Sequence, residues 1–197
     1  MTECGPIIAY SPWRKNKTFS CGYAAPRMEI RIDSPDPQNI PGEIQTRGDN
    51  VMLGYYKDPE TTAAAFTSDG WLKTGDMGTI DEEGFVFIKG RCKSMILGPS
   101  GQNIYPEEIE SILDNMPYVS ESLVIEKDGK LVALVYPNFE LAAEAKLSDQ
   151  QLIEIMEENL RLINEERPNY AKVSKIQIFP EEFEKTPKKS IKRYLYF

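Results

Sequence analysis

The hydrophobic and polar positions fall into two regimes along the chain. Over residues 1–50, short β-prone runs such as Met28-Glu29-Ile30-Arg31-Ile32 and Gly42-Glu43-Ile44-Gln45-Thr46 are set among frequent Pro and Gly. That punctuation predicts small antiparallel strands. Asp58-Pro59-Glu60 supplies an N-cap, a first-turn proline and a first-turn acid, which predicts a short helix through Ala63, Ala64, Ala65 and Phe66. Asp81-Glu82-Glu83-Gly84 is a turn ahead of Phe85-Val86-Phe87-Ile88, so a hairpin is expected to end the first half.

From Ser94 onward the pattern becomes strands alternating with amphipathic helices. Pro106 can open a helix with Glu107 and Glu108 in its positive first turn, placing Ile109, Ile112, Leu113 and Met116 on one face. Asp128-Gly129 joins Ser122 to Glu126 with Leu131 to Tyr136 in an apolar hairpin around a favoured turn dipeptide. Ser148 and Gln151 form a capping box for a helix that turns Leu152, Ile155, Met156, Leu160 and Ile163 inward. Val173 to Phe179 alternates like a further strand. The fold class read from this is α+β: a small β-rich subdomain followed by a compact α+β unit of about 100 residues, a usual domain size. The expected boundary lies near Gly90-Arg91-Cys92-Lys93, with residues 1–90 before it, a hinge at 91–93, and residues 94–197 after it.

Composition narrows the chemistry. The 197 residues are 41% hydrophobic, enough to bury a core. A net charge of −8 argues against a protein that neutralises nucleic-acid backbones. Histidine is absent, which excludes a Ser-His-Asp hydrolase, a Cys-His protease and a His-ligated metal site within this chain. Cys4, Cys21 and Cys92 lack metal-ligand spacing and are sparse, as in a reducing compartment. No apolar run approaches the ~20 residues of a transmembrane helix, and no signal peptide opens the chain. The expectation is a cytoplasmic protein, with peripheral membrane contact left open.

Four segments in fixed order carry the functional reading: Met1-Thr2-Glu3-Cys4-Gly5-Pro6; Gly70-Trp71-Leu72-Lys73-Thr74-Gly75-Asp76; Gly90-Arg91 through Ser100-Gly101-Gln102-Asn103-Ile104-Tyr105-Pro106-Glu107-Glu108-Ile109-Glu110; and Lys185-Thr186-Pro187-Lys188-Lys189-Ser190-Ile191-Lys192-Arg193. Together they resemble the adenylate-forming superfamily of acyl-CoA synthetases, peptide-synthetase adenylation domains and luciferases, over nearly the whole chain. The Asn103-Ile104-Tyr105-Pro106-Glu107-Glu108-Ile109-Glu110 wording looks most like a bacterial long-chain fatty acyl-CoA synthetase. The resemblance implies that residues 1–90 end a large AMP-binding N-terminal domain and that residues 94–197 form the mobile C-terminal domain. It implies a two-step reaction: carboxylate and ATP give acyl-AMP and pyrophosphate, then coenzyme A thiolate attacks the acyl carbonyl and AMP leaves.

By the same resemblance Thr2 contacts phosphate and Glu3 is the magnesium-associated carboxylate, a hard oxygen ligand suited to a hard cation. Asp76 accepts hydrogen bonds from both ribose hydroxyls of ATP or AMP, and a carboxylate has two oxygens suited to a vicinal diol. Arg91 is a second ribose contact, Lys93 is the hinge position, and Gly98, Ser100 and Gly101 form the loop that enters the site at the thioester stage. Read by themselves, the same residues also fit a terminal acid, a turn-capping aspartate, a surface arginine, a solvated lysine and an ordinary glycine turn. Trp71 and the Tyr55-Tyr56 pair read as packing residues.

The last motif departs from the family's pattern. Ser190 stands where a lysine bridges acyl carboxylate and α-phosphate, stabilising the negative charge that develops there. Lys189, and after it Lys188, are the candidates for that role, against an ordinary solvated basic tail. The phosphate-holding Gly- and Ser/Thr-rich loop, the adenine segment and most of the acyl pocket are not in the sequence. Met1 therefore reads as an internal methionine of a longer ligase, and this chain is expected to be inactive in adenylation without an N-terminal domain. Two rivals remain: a non-catalytic module that binds a separate partner, and an adenylation domain that loads a carrier protein.

Overall fold

The computed structural model describes residues 1–99, 101–165 and 167–196, and the chain divides into two compact units, Met1–Lys93 and Ser94–Phe197. In the first, β1 (Ala9–Tyr10) pairs with β2 (Tyr23–Ala24), and β3 (Met28–Asp33), β4 (Gly42–Gly48), β5 (Leu72–Ile80) and β6 (Val86–Arg91) form an antiparallel sheet in that order. Ile32, Ile44 and Val86 are the buried apolar centre of that sheet, with Ile30 and Ile80 against them. Between β4 and β5 lies α1 (Pro59–Ala65), where the Thr61 amide donates to the Asp58 carboxylate at 2.9 Å, the cap expected from the sequence. Trp71 is buried between two guanidinium groups, Arg31 at 4.5 Å and Arg47 at 4.6 Å from its ring. The neighbouring tyrosines differ from expectation. Tyr56 is 88% exposed and Tyr55 38%, because the left-handed backbone of Lys57 turns the segment outward just before the Asp58 cap.

In the second unit, β7 (Ile96–Leu97) and β8 (Asn103–Ile104) form a small hairpin, followed by α2 (Pro106–Leu113). The main sheet has the order β11-β10-β9, in which β9 (Val119–Lys127) and β10 (Lys130–Pro137) are antiparallel and β11 (Val173–Ile178) runs parallel to β10. Asp128 (φ 52°) and Gly129 (φ 72°) make the tight turn that the dipeptide predicts. Helices α3 (Phe139–Glu144) and α4 (Asp149–Glu165) precede β11, a helical connection of the kind that parallel pairing requires. At the head of α4 the capping box forms: the Gln151 amide donates to Ser148 Oγ and the Ser148 amide donates to Gln151 Oε1.

One sheet face packs under the two long helices through Ile109, Leu113, Val124, Ala133, Leu152 and Met156. Ile112, expected on that face, is 46% exposed, since it lies at the edge of the α2 stripe. Asn159, hidden within the apolar stripe of α4, is 1% exposed and donates to the Pro117 carbonyl at 3.0 Å, so a polar residue is satisfied in the core. The other sheet face, Leu123, Ile125, Val132 and Leu134, is covered by the tail through Phe179, Phe183, Ile191 and Tyr196. Phe179, Phe183 and Tyr196 form an aromatic set: Phe179 stacks on Phe183 at 5.1 Å, and Tyr196 meets both edge-on.

Candidate functional site

The Thr74-Gly75-Asp76 motif is a bulge. Gln45 pairs with Lys73 and Glu43 with Met77, so three residues of β5 stand opposite the single residue Ile44 of β4. Gly75 supplies the left-handed φ of 73° that such a bulge needs. Its polar groups are satisfied one by one. Thr74 Oγ1 donates to the Ile44 carbonyl at 2.7 Å and accepts from the Asp76 amide at 3.1 Å. The Gly75 amide donates to Glu43 Oε1 at 3.1 Å, and its carbonyl accepts from the Cys92 amide at 2.9 Å. A bulge re-aims the side chain that follows it, and here that side chain is Asp76. Glu43, absent from the sequence-based site, is thus one of its supports; its only sequence signal was its place in a β-prone run.

Asp76 pairs in register with Arg91 of β6, and Arg91 Nε meets Asp76 Oδ1 at 3.0 Å. The arginine side chain is 64% exposed, and ion pairs so exposed are worth ~0–1 kcal/mol at most, so the geometry has little to do with stability. Asp76 and Thr74 also line a cavity of about 230 Å³ with Met1, Ile7, Cys21 and Ile44. Ligand pockets run to roughly 300–1,000 Å³, so this one suits part of a nucleotide, such as its sugar. Cys21, exposed at the surface, has its thiol pushed up from its ordinary value, chiefly by desolvation.

Thr2 and Glu3 lie in a short 3-10 turn, Thr2–Cys4. Glu3 Oε1 accepts from the Tyr55 hydroxyl at 3.2 Å, while the Glu3 carbonyl accepts from the Met52 amide at 2.7 Å. Burial, then the nearby Glu3 carboxylate, raises the Tyr55 phenol from its ordinary value. Among the described residues no group of three or more His, Cys, Asp or Glu is placed to hold a metal unaided. A lone carboxylate suits magnesium, which is habitually held by one or two carboxylates plus substrate phosphates. Lys93 is exposed, in the turn that follows β6.

In the second unit, Gly98 and Gly101 form the tip of the β7–β8 hairpin. The Gly101 amide donates to the Gly98 carbonyl at 2.9 Å, and Gly101 has φ 81° with open space at its Cβ position. Ser100 lies outside the described residues. Gly98 and Pro99 line a cavity of about 690 Å³ with Ile104, Leu131, Tyr170 and Lys172. The last motif is a second hairpin: the Thr186 amide donates to the Ser190 carbonyl, and the Lys189 amide donates back to the Thr186 carbonyl, both at 2.8 Å. Its flanks are anchored. Lys185 meets Glu121 at 2.5 Å, Lys192 meets Glu184 at 3.0 Å, and Arg193 makes two contacts with Glu110 at 2.7 and 2.8 Å and donates to the Val124 carbonyl at 2.8 Å. Lys188, Lys189 and Ser190 are exposed at the tip, with Lys189 in the left-handed region at φ 62°.

The model of the AMP-binding enzyme C-terminal domain matches residues 93–196. The chain belongs to that family. It is similar to the long-chain-fatty-acid–CoA ligase of Yersinia pestis, 37% identical over 158 residues, which cover 78% of this chain and 28% of that protein. It is also similar to 4-coumarate–CoA ligase 1 of Solanum tuberosum, 39% identical over 135 residues, or 64% of this chain and 25% of that one. Among solved structures, ATP-bound MatB from Rhodopseudomonas palustris superposes with a TM-score of 0.75 at 29% identity, covering 99% of this chain and 38% of that chain. The O-succinylbenzoate CoA synthetase of Bacillus subtilis in complex with ATP and magnesium does so at 0.76 and 28%, covering 98% and 39%. This member of the family has the α+β fold expected from the sequence. It spans roughly a quarter to two-fifths of the length of these proteins. Among the described residues no helix is long and apolar enough to cross a membrane.

Proposed function

We propose that this chain supplies the ribose-binding, hinge and thioester-stage parts of an ATP-dependent, AMP-forming fatty acyl-CoA synthetase. The observation that carries the reading is the bulge at Thr74-Gly75-Asp76, which presents Asp76 beside Arg91 at the mouth of a sugar-sized cavity. Asp76 would accept from the ribose diol while Arg91 orients its carboxylate. Thr2 would meet the phosphates, and Glu3, its other oxygen still able to accept a ligand, would hold magnesium, which when bound neutralises phosphate charge. Lys93 would be the hinge between residues 1–90 and 94–197, and the Gly98–Gly101 turn would approach coenzyme A at the second step. Lys127, Lys130 and Lys175 line a groove with Asp128 and Ser174, the latter also lining the large cavity, and the excess of cations favours a ligand carrying phosphates. Free fatty acid, ATP and coenzyme A are the substrates on this reading, and the cytoplasm is the compartment.

The purified chain is expected to show no carboxylate-dependent ATP–pyrophosphate exchange, because a phosphate-holding loop and an acyl pocket must come from an N-terminal domain. Titration with AMP is expected to shift the amide NMR resonances of Thr74, Asp76 and Arg91, and Asp76→Ala to abolish those shifts. Exchange activity in the chain alone, or AMP-dependent shifts that survive Asp76→Ala, would overturn the assignment. Ser190 favours one second reading, a partner-binding module without its own adenylation lysine; that reading predicts no adenylation even when the upstream part of a related ligase is supplied. Transfer to a phosphopantetheinyl carrier protein in preference to coenzyme A would identify a carrier-loading domain instead.

A further inference from the structure

Asp76 is held in place partly from outside its own motif. Where β5 bulges against the single residue Ile44, the ladder with β4 is interrupted, and the amides of Gly75 and Asp76 take side-chain acceptors instead. Thr74 Oγ1 serves the Asp76 amide from within the motif, and Glu43 Oε1 serves the Gly75 amide at 3.1 Å from the neighbouring strand. An amide that donates to a carboxylate makes a charge-assisted bond, stronger than a neutral bond of the ladder. The Gly75 carbonyl accepts from the amide of Cys92, the residue after Arg91, at 2.9 Å. Gly75 is thus gripped at both its amide and its carbonyl, directly before Asp76. Arg91 Nη2 also lies 3.9 Å from the place a Gly75 Cβ would occupy, so a displaced Gly75 disturbs the carboxylate and the guanidinium together.

Glu43 occupies a place where strand pairing alone disfavours it. It stands directly opposite Asp33 of β3, and like charges so placed repel. The Asp33 carboxylate takes Gln45 Nε2 as a partner at 3.3 Å, which leaves the repulsion in place. Burial, then the charges of Glu43 and Asp76, raise the Cys92 thiol from its ordinary value, so Glu43 is a second carboxylate in the neighbourhood of the ribose aspartate. A neutral residue would avoid both acids. What the glutamate contributes in exchange is its bond to the Gly75 amide.

We propose that Glu43 is a positioning residue for the sugar of the nucleotide: by holding the Gly75 amide it fixes the bulge that aims Asp76, and Arg91 with it, at the ribose diol. It acts through Gly75 and does not itself touch the nucleotide. This role rests on the ribose reading of Asp76 and adds to that site a residue outside the Thr74-Gly75-Asp76 motif. The rival role is structural only, with Glu43 steadying the pairing of β4 and β5. That rival predicts a change in stability and none in what the site selects.

AMP and its dideoxy analogue, which lacks both ribose hydroxyls, separate the two roles because they differ only in the diol. In titrations of the whole chain followed through the amide resonances of Asp76 and Arg91, the unsubstituted protein is expected to prefer AMP by about tenfold, the worth of hydrogen bonds to a charged acceptor. Glu43→Ala should bring the two affinities together. Glu43→Asp, which keeps the charge but is one methylene shorter, should do the same. Glu43→Gln still offers Oε1 to the amide, and its preference should stay within about threefold of the original, since only the charge assistance is lost. Should Glu43→Ala fail to fold, the pair Glu43→Asp and Glu43→Gln decides, as one has charge without reach and the other reach without charge. A preference for AMP that is lost in Asp76→Ala but unchanged in Glu43→Ala or Glu43→Asp overturns the proposal and leaves the ribose reading standing. Loss as complete in Glu43→Gln as in Glu43→Asp overturns it as well, because the hydrogen bond would then not be the link. No preference in the unsubstituted protein, or one that survives Asp76→Ala, sinks the ribose reading itself and the role of Glu43 with it.

Discussion

Lys189 is where two demands on one residue conflict. The turn of the last motif places it at φ 62°, a conformation that costs an L-residue roughly 1 kcal/mol and a glycine nothing. A lysine kept at such a place suggests use of its ammonium group, as strain held at a turn tip can be part of a site's design. Lys185 and Lys192 are engaged with Glu121 and Glu184, which leaves Lys188 and Lys189 as the exposed cations of the tip. The expected outcome is a split. Lys189→Gly should raise thermal stability by about 0.5–1 kcal/mol yet weaken acyl-adenylate formation when the upstream part of a related ligase is supplied, whereas Lys188→Ala should leave both nearly unchanged. If Lys188→Ala is the variant that loses adenylation, the role passes to that neighbour; if Ser190→Lys alone creates activity, neither lysine serves.

Between elements, the connection that matters most is one that periodicity could not show. In the sequence Glu110 is only the last residue of the third motif, and Arg193 one cation of the basic tail. In the fold they meet across the unit, and Glu110 also accepts from the Val124 amide at 2.7 Å. This clamp ties α2, β9 and the tail that carries the lysine turn. Removing one partner of a buried pair leaves the other uncompensated, so Glu110→Ala should cost about 3–5 kcal/mol in urea unfolding, and Glu110→Gln, which still accepts from the arginine and the amide, should cost less. Burial raises the Glu110 carboxyl from its ordinary 4.5, with Arg193 pulling the other way. A raised value means the folded protein binds a proton that the unfolded chain has released. The group's contribution to stability is then greatest below 4.5 and declines as pH rises through the raised value. That slope should vanish in Glu110→Gln, and an unchanged slope would place its origin in another carboxyl. The short-range features were legible because each is set by neighbours in sequence: the Asp58 cap, the Asp128-Gly129 turn and the Ser148–Gln151 box. The bulge at Gly75, the burial of Asn159 and the exposure of Tyr56 were not, because each depends on what a distant strand or carbonyl offers.

At the scale of the molecule, the two units have separate cores, one centred on Ile32, Ile44 and Val86 and the other on the two faces of the β9–β10–β11 sheet. The second has about a hundred residues and both sheet faces covered, which are the attributes of a domain that folds by itself. Both tryptophans lie in the first unit, so tryptophan emission follows only that unit, while far-UV circular dichroism follows both. Leu123 is fully buried against the aromatic tail, and Leu123→Ala should destabilise the second unit by about 2–5 kcal/mol. If the units unfold independently, that substitution lowers the midpoint of part of the circular dichroism transition and leaves the tryptophan transition where it was. Residues 94–197 produced alone should show the same lowered or unlowered midpoint as they do within the chain. A tryptophan midpoint that moves in step with the circular dichroism would mean one cooperative body, and the hinge proposed at Lys93 would then have to act within a single folding unit instead of between two.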